Sequence, residues 1–444
     1  MQKELFQPQL YLNPKWYIFK ETELGKIYQS IPWDRLGECL PVKIKGAGAQ
    51  RWFSNEGMFA LMFLKSYLGL SDEKLIERFN TDYSLQIFCG KLLNINEIIK
   101  DKGIVSRIRE YIADHADWQE VQWVLIDHWK RDMSNCHVLL MDASCYESYI
   151  RFPTDVKLLW ESCQYVYEKQ LFKLCKLIGT PRPRSKYNEQ KQKQRAYDRT
   201  RKKTYQAGRK RKKALLHLLE KGLGQFQLLL NSHPHIQLKT DQYSYLATIR
   251  KVLTQQQFLQ THPAKELKNR IVSLHKPYIR PIVRGKENKR VEFGMKVHML
   301  QVDGICLIDQ MSFKAFNEST RLKMSVLKHK SIFGACHQLG ADNIYATNSN
   351  RNYLTNKQIF TCFPKKGPKK HAPAEEKLRS LLATQRATVM EGSFGSQKTS
   401  YGLNKIKARK EKTEMVWVFF GVMTANAVRI SRRRSESPPL QQAA

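Results

Sequence analysis

The spacing of apolar residues predicts two consecutive helices between residue 55 and about residue 90. Gly69 permits a turn between them, and Ser71 is suited to cap the second helix, with Asp72 and Glu73 in its first turn. This helical hairpin is either a small DNA-binding unit or a cap that packs on the next domain, and both interpretations stay open. The first apolar face holds Met58, Leu61, Met62, Leu64 and Leu68, and the second holds Leu75, Ile76 and Phe79.

A period of two, typical of a β-strand, is clearest near residue 295. Asp303-Gly304 then predicts a hairpin turn into a second strand at 305–308. Earlier, the apolar run from His137 predicts a buried strand that ends at Asp142. We expect these strands to be neighbours in one sheet, so residues 160–285 are predicted to be an insertion between them. The alternation places Val291, Phe293, Met295, Val297 and Met299 on one face and Glu292, Gly294, Lys296 and His298 on the other.

The predicted insertion is mainly helical and very basic. Between residues 182 and 213 only Glu189 and Asp198 oppose a long run of lysines and arginines, and three tyrosines are interleaved. Such a run is either a solvated charged helix or a nucleic-acid contact, and its one-sided charge favours the contact. The candidate DNA-binding side chains in this run are Arg209, Lys210, Arg211 and Lys212.

The two ends of the chain are predicted from their prolines and apolar runs. Residues 1 to about 50 are expected to be irregular because Pro8, Pro14 and Pro32 interrupt any long element. The beginning of the chain has no apolar signal core, so we do not expect secretion. The apolar segment 415–428 is shorter than the roughly twenty residues that cross a bilayer and predicts a core helix. A tail from Ser431 is expected to be disordered.

Composition narrows the class of protein. The 444 residues suffice for two or three domains, and 42% hydrophobic residues indicate a globular protein. A formal net charge of +36 makes a polyanion, and first of all nucleic acid, the expected partner. The nine cysteines have no zinc-ligand spacing, which predicts reduced, mostly buried thiols in a cytosolic protein.

Three acids, Asp142, Asp342 and Glu391, carry the candidate chemistry. Phosphodiester cleavage by two metal ions needs carboxylates that hold Mg²⁺ or Mn²⁺ roughly 3.5 to 4 Å apart. Hard cations prefer oxygen ligands, and the sequence has no competing nucleophile or phosphate-loop pattern. Spacing alone is not specific, because the chain has 40 acids.

The residues around each acid are more specific. Asp142 begins a segment that ends in Pro153-Thr154-Asp155 and a pair of leucines. The second acid opens Asp342-Asn-Ile-Tyr345, followed by Asn350-Arg351, and the third opens Glu391-Gly-Ser-Phe394-Gly-Ser-Gln-Lys398. These sequence motifs resemble those of the DDE transposases of bacterial insertion sequences, in particular the insertion-sequence five (IS-five) group. Further similar stretches are 68–73, 80–83, 276–286 and 293–296.

The resemblance implies an α/β fold with an RNase H-like catalytic core, a mixed sheet flanked by helices. It places an N-terminal helical, DNA-binding domain at 1–130 and the catalytic domain at 131–430, interrupted by the insertion 160–285, with the tail at 431–444. It also implies that Asp142, Asp342 and Glu391 are catalytic and hold two Mg²⁺ or Mn²⁺ ions. The DNA contacts outside the insertion would be Lys398, Asn350, Arg351, Tyr345 and Arg386.

The implied function is transposition. The enzyme would bind the inverted-repeat ends of its element, cleave the DNA and transfer the strand into target DNA. Joining two ends implies a homodimer on DNA in the bacterial cytoplasm, at the nucleoid and away from membranes. The alternatives are a metal-dependent nuclease without strand transfer and a non-catalytic DNA-binding relic of a transposase.

The sequence departs from the family pattern near the third acid. Relatives often carry an arginine four residues before the glutamate, where this chain has Ala387, with Arg386 five before. Gly392 and Gly395 weaken the helix that should carry Glu391.

Several neighbouring residues have a structural interpretation beside the functional one. Glu147 and Asp155 could join the metal site, but Asp155 is better suited to cap the next helix. Asn350 and Arg351 could position a DNA strand or cap a helix, and Lys398 could contact DNA or be an exposed helix lysine. His298 is predicted to be structural or to face solvent.

Overall fold

The chain folds into two units. The computed structural model describes residues 14–42, 51–263, 265–283, 291–367 and 372–436. Met1–Tyr149 with Met295–Ala444 form the first unit, and Ile150–Gly294 form the second. Helices and a mixed sheet are both present, which confirms the α/β class.

Helices occupy the described part of the first unit up to residue 132. The predicted helices at 55–68 and 72–81 are confirmed, with Ser54 and Ser71 as caps and Gly69 in the left-handed region at φ 62°. The prediction that the first 50 residues are irregular is wrong for 14–38, because Pro14 begins one short helix and Pro32 caps another. The helices are α1 (Pro14–Glu21), α2 (Glu23–Gln29), α3 (Trp33–Glu38), α4 (Asn55–Leu68), α5 (Asp72–Thr81), α6 (Tyr83–Phe88), α7 (Ile104–His115) and α8 (Trp118–Trp129).

The second unit is mainly helical, as predicted. Its core includes Leu159, Tyr167, Leu219 and Phe226, all buried. Thr154 caps its first helix, so the predicted cap Asp155 is wrong by one residue; Asp155 instead pairs with Lys212 and Arg270. The helices are α9 (Asp155–Gln164), α10 (Phe172–Leu177), α11 (Tyr187–Arg199), α12 (Tyr205–Asn231) and α13 (Thr240–Thr261), with a π-helical segment (Tyr165–Leu171) before α10.

The sheet is mixed. In the first unit β3 lies beside β1, β1 pairs in parallel with β5 and β5 with β6, while β4 pairs antiparallel with β3 and β7 in parallel with β1. The predicted hairpin is confirmed, and β2 pairs with residues 291–293 of β3 within the second unit. The strands are β1 (Val138–Ser148), β2 (Pro281–Val283), β3 (Val291–Val302), β4 (Ile305–Ser312), β5 (Gln338–Gly340), β6 (Phe360–Thr361) and β7 (Lys405–Ile406).

The remaining helices belong to the first unit and end in a long buried one. This last helix contains the predicted core segment 415–428, most of it buried, and packs on α4, α7 and β4. Among the described residues no helix is long and apolar enough to cross a membrane. These helices are α14 (Leu322–Phe333), α15 (Asn348–Asn356), α16 (Pro373–Gln385), α17 (Glu391–Ser400) and α18 (Glu411–Glu436).

The prediction of a disordered tail from Ser431 is wrong for residues 431–436, which belong to helix α18. The helix continues through Ser431, which is buried, to Glu436. Arg433 pairs with Asp303 at 2.9 Å and Arg434 with Asp132 at 2.7 Å, so the arginines hold the helix end in place. Residues 437–444 lie outside the described part of the chain.

Two buried side-chain amides cover the outer edge of β4. Asn426 of α18 accepts from the backbone N–H of Cys306 at 2.9 Å and donates to its carbonyl at 2.7 Å. Gln122 of α8 makes the same pair of bonds with Ile308, at 2.7 and 3.0 Å. The edge groups of both residues are therefore satisfied.

All nine cysteines are free thiols, and six of them are buried. This agrees with the predicted reduced, buried thiols.

Candidate active site

Asp142 and Asp342 lie at the same register of neighbouring parallel strands, Asp142 within β1 and Asp342 just after β5. The last paired residues of β1 and β5 are Leu140 and Gly340, and each acid lies two residues further along. The prediction that strand β1 ends at Asp142 is wrong, because the strand continues to Ser148. Asp342 leaves the sheet, caps a 3₁₀ turn (Asn343–Tyr345) and accepts from the Asn343 backbone N–H at 2.7 Å.

Arg386 connects the third acid to the first. Its Nη1 lies 3.0 Å from Oδ2 of Asp142 and 3.9 Å from Oε1 of Glu391. The five residues before Glu391 form a π-helical segment (Arg386–Met390) between α16 and α17. A π turn contains one residue more than an α turn, so an arginine five residues before the glutamate lies over it as one four before would in an α-helix. The π-helical segment therefore compensates for the position of Arg386, which is one residue further from the glutamate than the arginine of the family pattern.

The pKa of Asp142 is raised above its ordinary value, chiefly by burial. Burial raises the pKa of Asp142, and the nearby Glu318 and Asp342 raise it further. The backbone N–H of Ala143 and the Arg386 guanidinium lower it. Glu318 was not among the predicted site residues, and its local sequence, which follows β4, carries no motif that would have identified it.

Glu318 belongs to a chain of polar contacts behind Asp342. It pairs with Lys296 at 2.6 Å and accepts from the Tyr345 hydroxyl at 3.4 Å. The Tyr345 hydroxyl also lies 2.8 Å from Nε2 of His298, whose Nδ1 lies 3.0 Å from Oδ2 of Asp309. His298 is fully buried, which confirms its structural interpretation and excludes the solvent-facing one.

Tyr345 and Asn350 support the turn that carries Asp342. The Tyr345 side chain is fully buried, and Asn350 is 5% exposed and donates to the carbonyls of Ser319 and Tyr345. Neither side chain therefore reaches a surface at which DNA could contact it, in contrast to the prediction. Thr347 caps α15, so Asn350 does not cap it either; Arg351 donates to the carbonyls of Ala346 and Pro364.

Lys398 lies beside β1, near the first acid. Its Nζ donates to the Ser144 hydroxyl at 2.9 Å and lies 5.5 Å from the Tyr146 ring centroid. Ser144 lies two residues beyond Asp142 and therefore on the same strand face. Glu147, five residues beyond Asp142, lies on the opposite face and pairs with Lys405.

The four candidate residues of the basic run differ in exposure. Arg209 and Lys210 are exposed on α12. Arg211 is buried and donates to Gln194 and Gln190, while Lys212 pairs with Asp155 at 3.1 Å. Only Arg209 and Lys210 therefore remain accessible to a phosphate, and Arg211 has a packing role that the charge run did not indicate.

Metal binding by the three acids is the remaining prediction for this site. Carboxylate oxygens suit Mg²⁺ and Mn²⁺. Within the residues that the structure describes, however, no three His, Cys, Asp or Glu side chains form a group able to hold a metal ion. The Arg386 guanidinium lies between Asp142 and Glu391, where it supplies the positive charge that a cation would bring.

A known protein family matches the N-terminal helices. Residues 15–111 match the family described as Transposase domain (DUF772), which covers α1 to α6 and most of α7. The match indicates a transposase. No curated protein and no solved structure matches the chain.

Proposed function

We propose that the protein is a DDE transposase of the IS-five group, with Asp142, Asp342 and Glu391 as its catalytic acids. The observation that carries the proposal is the equal register of the first two acids, each two residues beyond the last pair between β1 and β5, with the third acid joined to Asp142 through Arg386. The mixed sheet flanked by helices supports an RNase H-like core. The Transposase domain match supports the class of enzyme.

The three acids would hold two Mg²⁺ or Mn²⁺ ions. Bound there, such ions supply activation of the attacking oxygen and stabilisation of the leaving oxygen. Asp142 and Glu391 could hold such ions only with the Arg386 guanidinium displaced from them, and this side chain would then be available to a DNA phosphate. Lys398, held beside the same strand face as Asp142, would contact a phosphate next to the reacting bond.

The reaction would have two steps. Water attacks a phosphodiester at the element's end, and the bond to the 3′ oxygen breaks to give a 3′-hydroxyl. That hydroxyl then attacks a target phosphodiester, forming a new bond and releasing a target 3′-hydroxyl. The exposed Arg209 and Lys210 would hold DNA, and two copies would act together at the bacterial nucleoid because two ends join one target.

The test compares the wild type with Asp142→Asn in Mg²⁺, on DNA fragments taken from the regions that flank the gene. We expect the wild type to cut and join, and Asp142→Asn to lose both activities by about a hundredfold or more. Asp241→Asn, at an exposed carboxylate on α13, is the matched control and should keep activity. Wild-type activity in Asp142→Asn would exclude the catalytic assignment.

The same assay separates the alternatives. Nicked DNA without a joined product would favour a nuclease. Binding of the fragments by a wild type that neither cuts nor joins would favour a non-catalytic relic.

A further inference from the structure

A basic cleft adjoins the candidate active site in the first unit. It has a volume of about 850 Å³ and is lined by residues of three segments, 65–72, 106–110 and 398–417. Seven lining side chains are lysines or arginines, and the only acidic ones are Asp72 and Glu110. Lys398 lines this cleft and also donates to Ser144, two residues beyond Asp142, so this side chain is shared by the cleft and the candidate active site.

One wall of the cleft presents its cations in a regular row. Lys405, Lys407 and Arg409 are exposed, while the alternating Ile406 and Ala408 are buried. Strand β7 fixes the start of the row, because it pairs with β1 at Glu147 and Ser148. In an extended chain every second residue recurs at about 6.6 Å on one face, which suits a ligand with evenly repeated negative charges. This period of two is visible in the sequence.

The floor of the cleft is also cationic. The Trp417 ring contacts both Lys65, whose Nζ lies 4.7 Å from the ring centroid, and the Arg109 guanidinium, at 4.5 Å. Both cations are buried and share one carboxylate, Asp72, at 3.4 and 2.9 Å. Two cations against one carboxylate leave an excess of positive charge, which desolvation makes more effective.

We propose that this cleft binds the sugar–phosphate backbone of the DNA strand that continues from the candidate active site. Exposed cations at alternate residues suit a backbone with one negative charge per nucleotide, and they carry no means of reading bases. A phosphate at Lys405 would compete with the ion pair that this lysine makes with Glu147. The inference rests on the proposed function, because it takes DNA to lie at Asp142 and Lys398. It assigns α4, α5 and α7, within the Transposase domain match, to one side of a strand channel.

The test is a change in the salt dependence of DNA binding. Lys407→Gln with Arg409→Gln removes two cations from the row. Lys26→Gln with Lys330→Gln is the matched control, because both lysines are exposed in the same unit and neither lines the cleft. The probe is a fluorescein-labelled duplex of arbitrary sequence, about three helical turns long, and its anisotropy is measured in EDTA between about 50 and 200 mM salt.

The cleft variant should bind more weakly and lose about two units from the slope of log K against log salt, since each phosphate contact contributes about 0.9. The control should keep the wild-type slope. An unchanged slope in the cleft variant, or an equal loss in the control, would overturn the proposal.

A second measurement uses the unaltered protein, so it does not depend on how the variants fold. Lysines are acetylated with and without the duplex and quantified by mass spectrometry. Lys405 and Lys407 should be protected by DNA, while Lys26 and Lys330 should react as before. Equal protection by poly-glutamate at the same charge concentration would overturn the assignment to DNA and favour an acidic protein partner.

The two proposals fail separately because binding in EDTA requires no cleavage. Protection of the cleft without cutting in Mg²⁺ would exclude the catalytic proposal alone. Cutting with an unprotected cleft would exclude this inference alone.

Discussion

At the scale of single residues, buried partners determine how the candidate site is held. The three acids and Lys398 are predicted from their neighbours in sequence. Their supports are not, because Glu318, His298 and Asp309 meet Tyr345 only through contacts between distant parts of the chain. Tyr345 and Asn350 of the motif stabilise the turn that carries Asp342. Both side chains are buried, so they support this turn and do not contact DNA.

Asp309 stabilises the fold in a pH-dependent way. Burial acts to raise its pKa, but hydrogen bonds and charge from His298 and Arg321 outweigh it and lower the pKa of Asp309 to about 2. The folded-state pKa lies below the unfolded one, so the carboxylate stabilises the fold above about pH 4, and this contribution is lost as the pH falls through about 2.

We expect Asp309→Asn to lower the free energy of unfolding by about 2 kcal/mol at pH 7 and by less at pH 3. Urea unfolding of both proteins at the two pH values measures this. Asp127→Asn, which removes an exposed ion pair with Arg35, should change stability by less than about 1 kcal/mol. The same loss for Asp309→Asn at both pH values would contradict the explanation.

At the scale of elements, the π-helical segment before Glu391 has the clearest consequence. A π-helical turn contains one residue more than an α-helical turn. The segment therefore takes up one extra residue between α16 and α17 within a single widened turn. Deleting the exposed Ala387 should therefore convert the segment to an α-helix and keep Arg386 over Glu391.

We expect the Ala387 deletion to fold and to keep DNA cleavage within about tenfold of the wild type. Deleting Gly392, whose surroundings are open, should instead rotate Lys398 by about 100° relative to Glu391. That variant should lose about a hundredfold in cleavage, since displaced catalytic groups are this costly. Cleavage assays and thermal unfolding compare the two deletions, and equal inactivity in two folded variants would count against this geometry.

Helices and strands with a strong hydrophobic periodicity were predictable from the sequence. Short helices, and strand pairing between residues far apart in the chain, were not. Helices α4 and α5 and the β3–β4 hairpin follow from spacing and turn residues. The short helices α1 and α3 begin at or beside Pro14 and Pro32, which on sequence alone predict interruptions. The extension of β1 beyond Asp142 depends on β7, more than 250 residues later in the chain.

At the scale of the whole molecule, α18 joins the parts of the first unit. It packs on α2, α4 and α7 of the N-terminal helices and on β4 of the sheet, and Phe420 meets Phe63 edge-on at 5.3 Å. Since both parts of this unit bury their apolar surface on one helix, they should unfold together.

Asn426→Ala tests this role of α18. It leaves the backbone groups of Cys306 without partners and should cost about 2–4 kcal/mol. Thr424→Val is the matched control on the same helix, because the buried Thr424 hydroxyl has no hydrogen-bond partner among the described residues, and it should be close to neutral. Circular dichroism and tryptophan fluorescence should report one transition, and an Asn426→Ala variant as stable as Thr424→Val would refute the assignment.

The amides of Gln122 and Asn426 also bear on how copies of this protein avoid aggregation. An exposed sheet edge recruits strands from other chains and leads towards fibres. At Cys306 and Ile308 both backbone hydrogen-bonding groups of β4 are already paired, so a foreign strand would find no hydrogen bonds to make there. Strand addition by another copy is therefore blocked at these two residues of the edge.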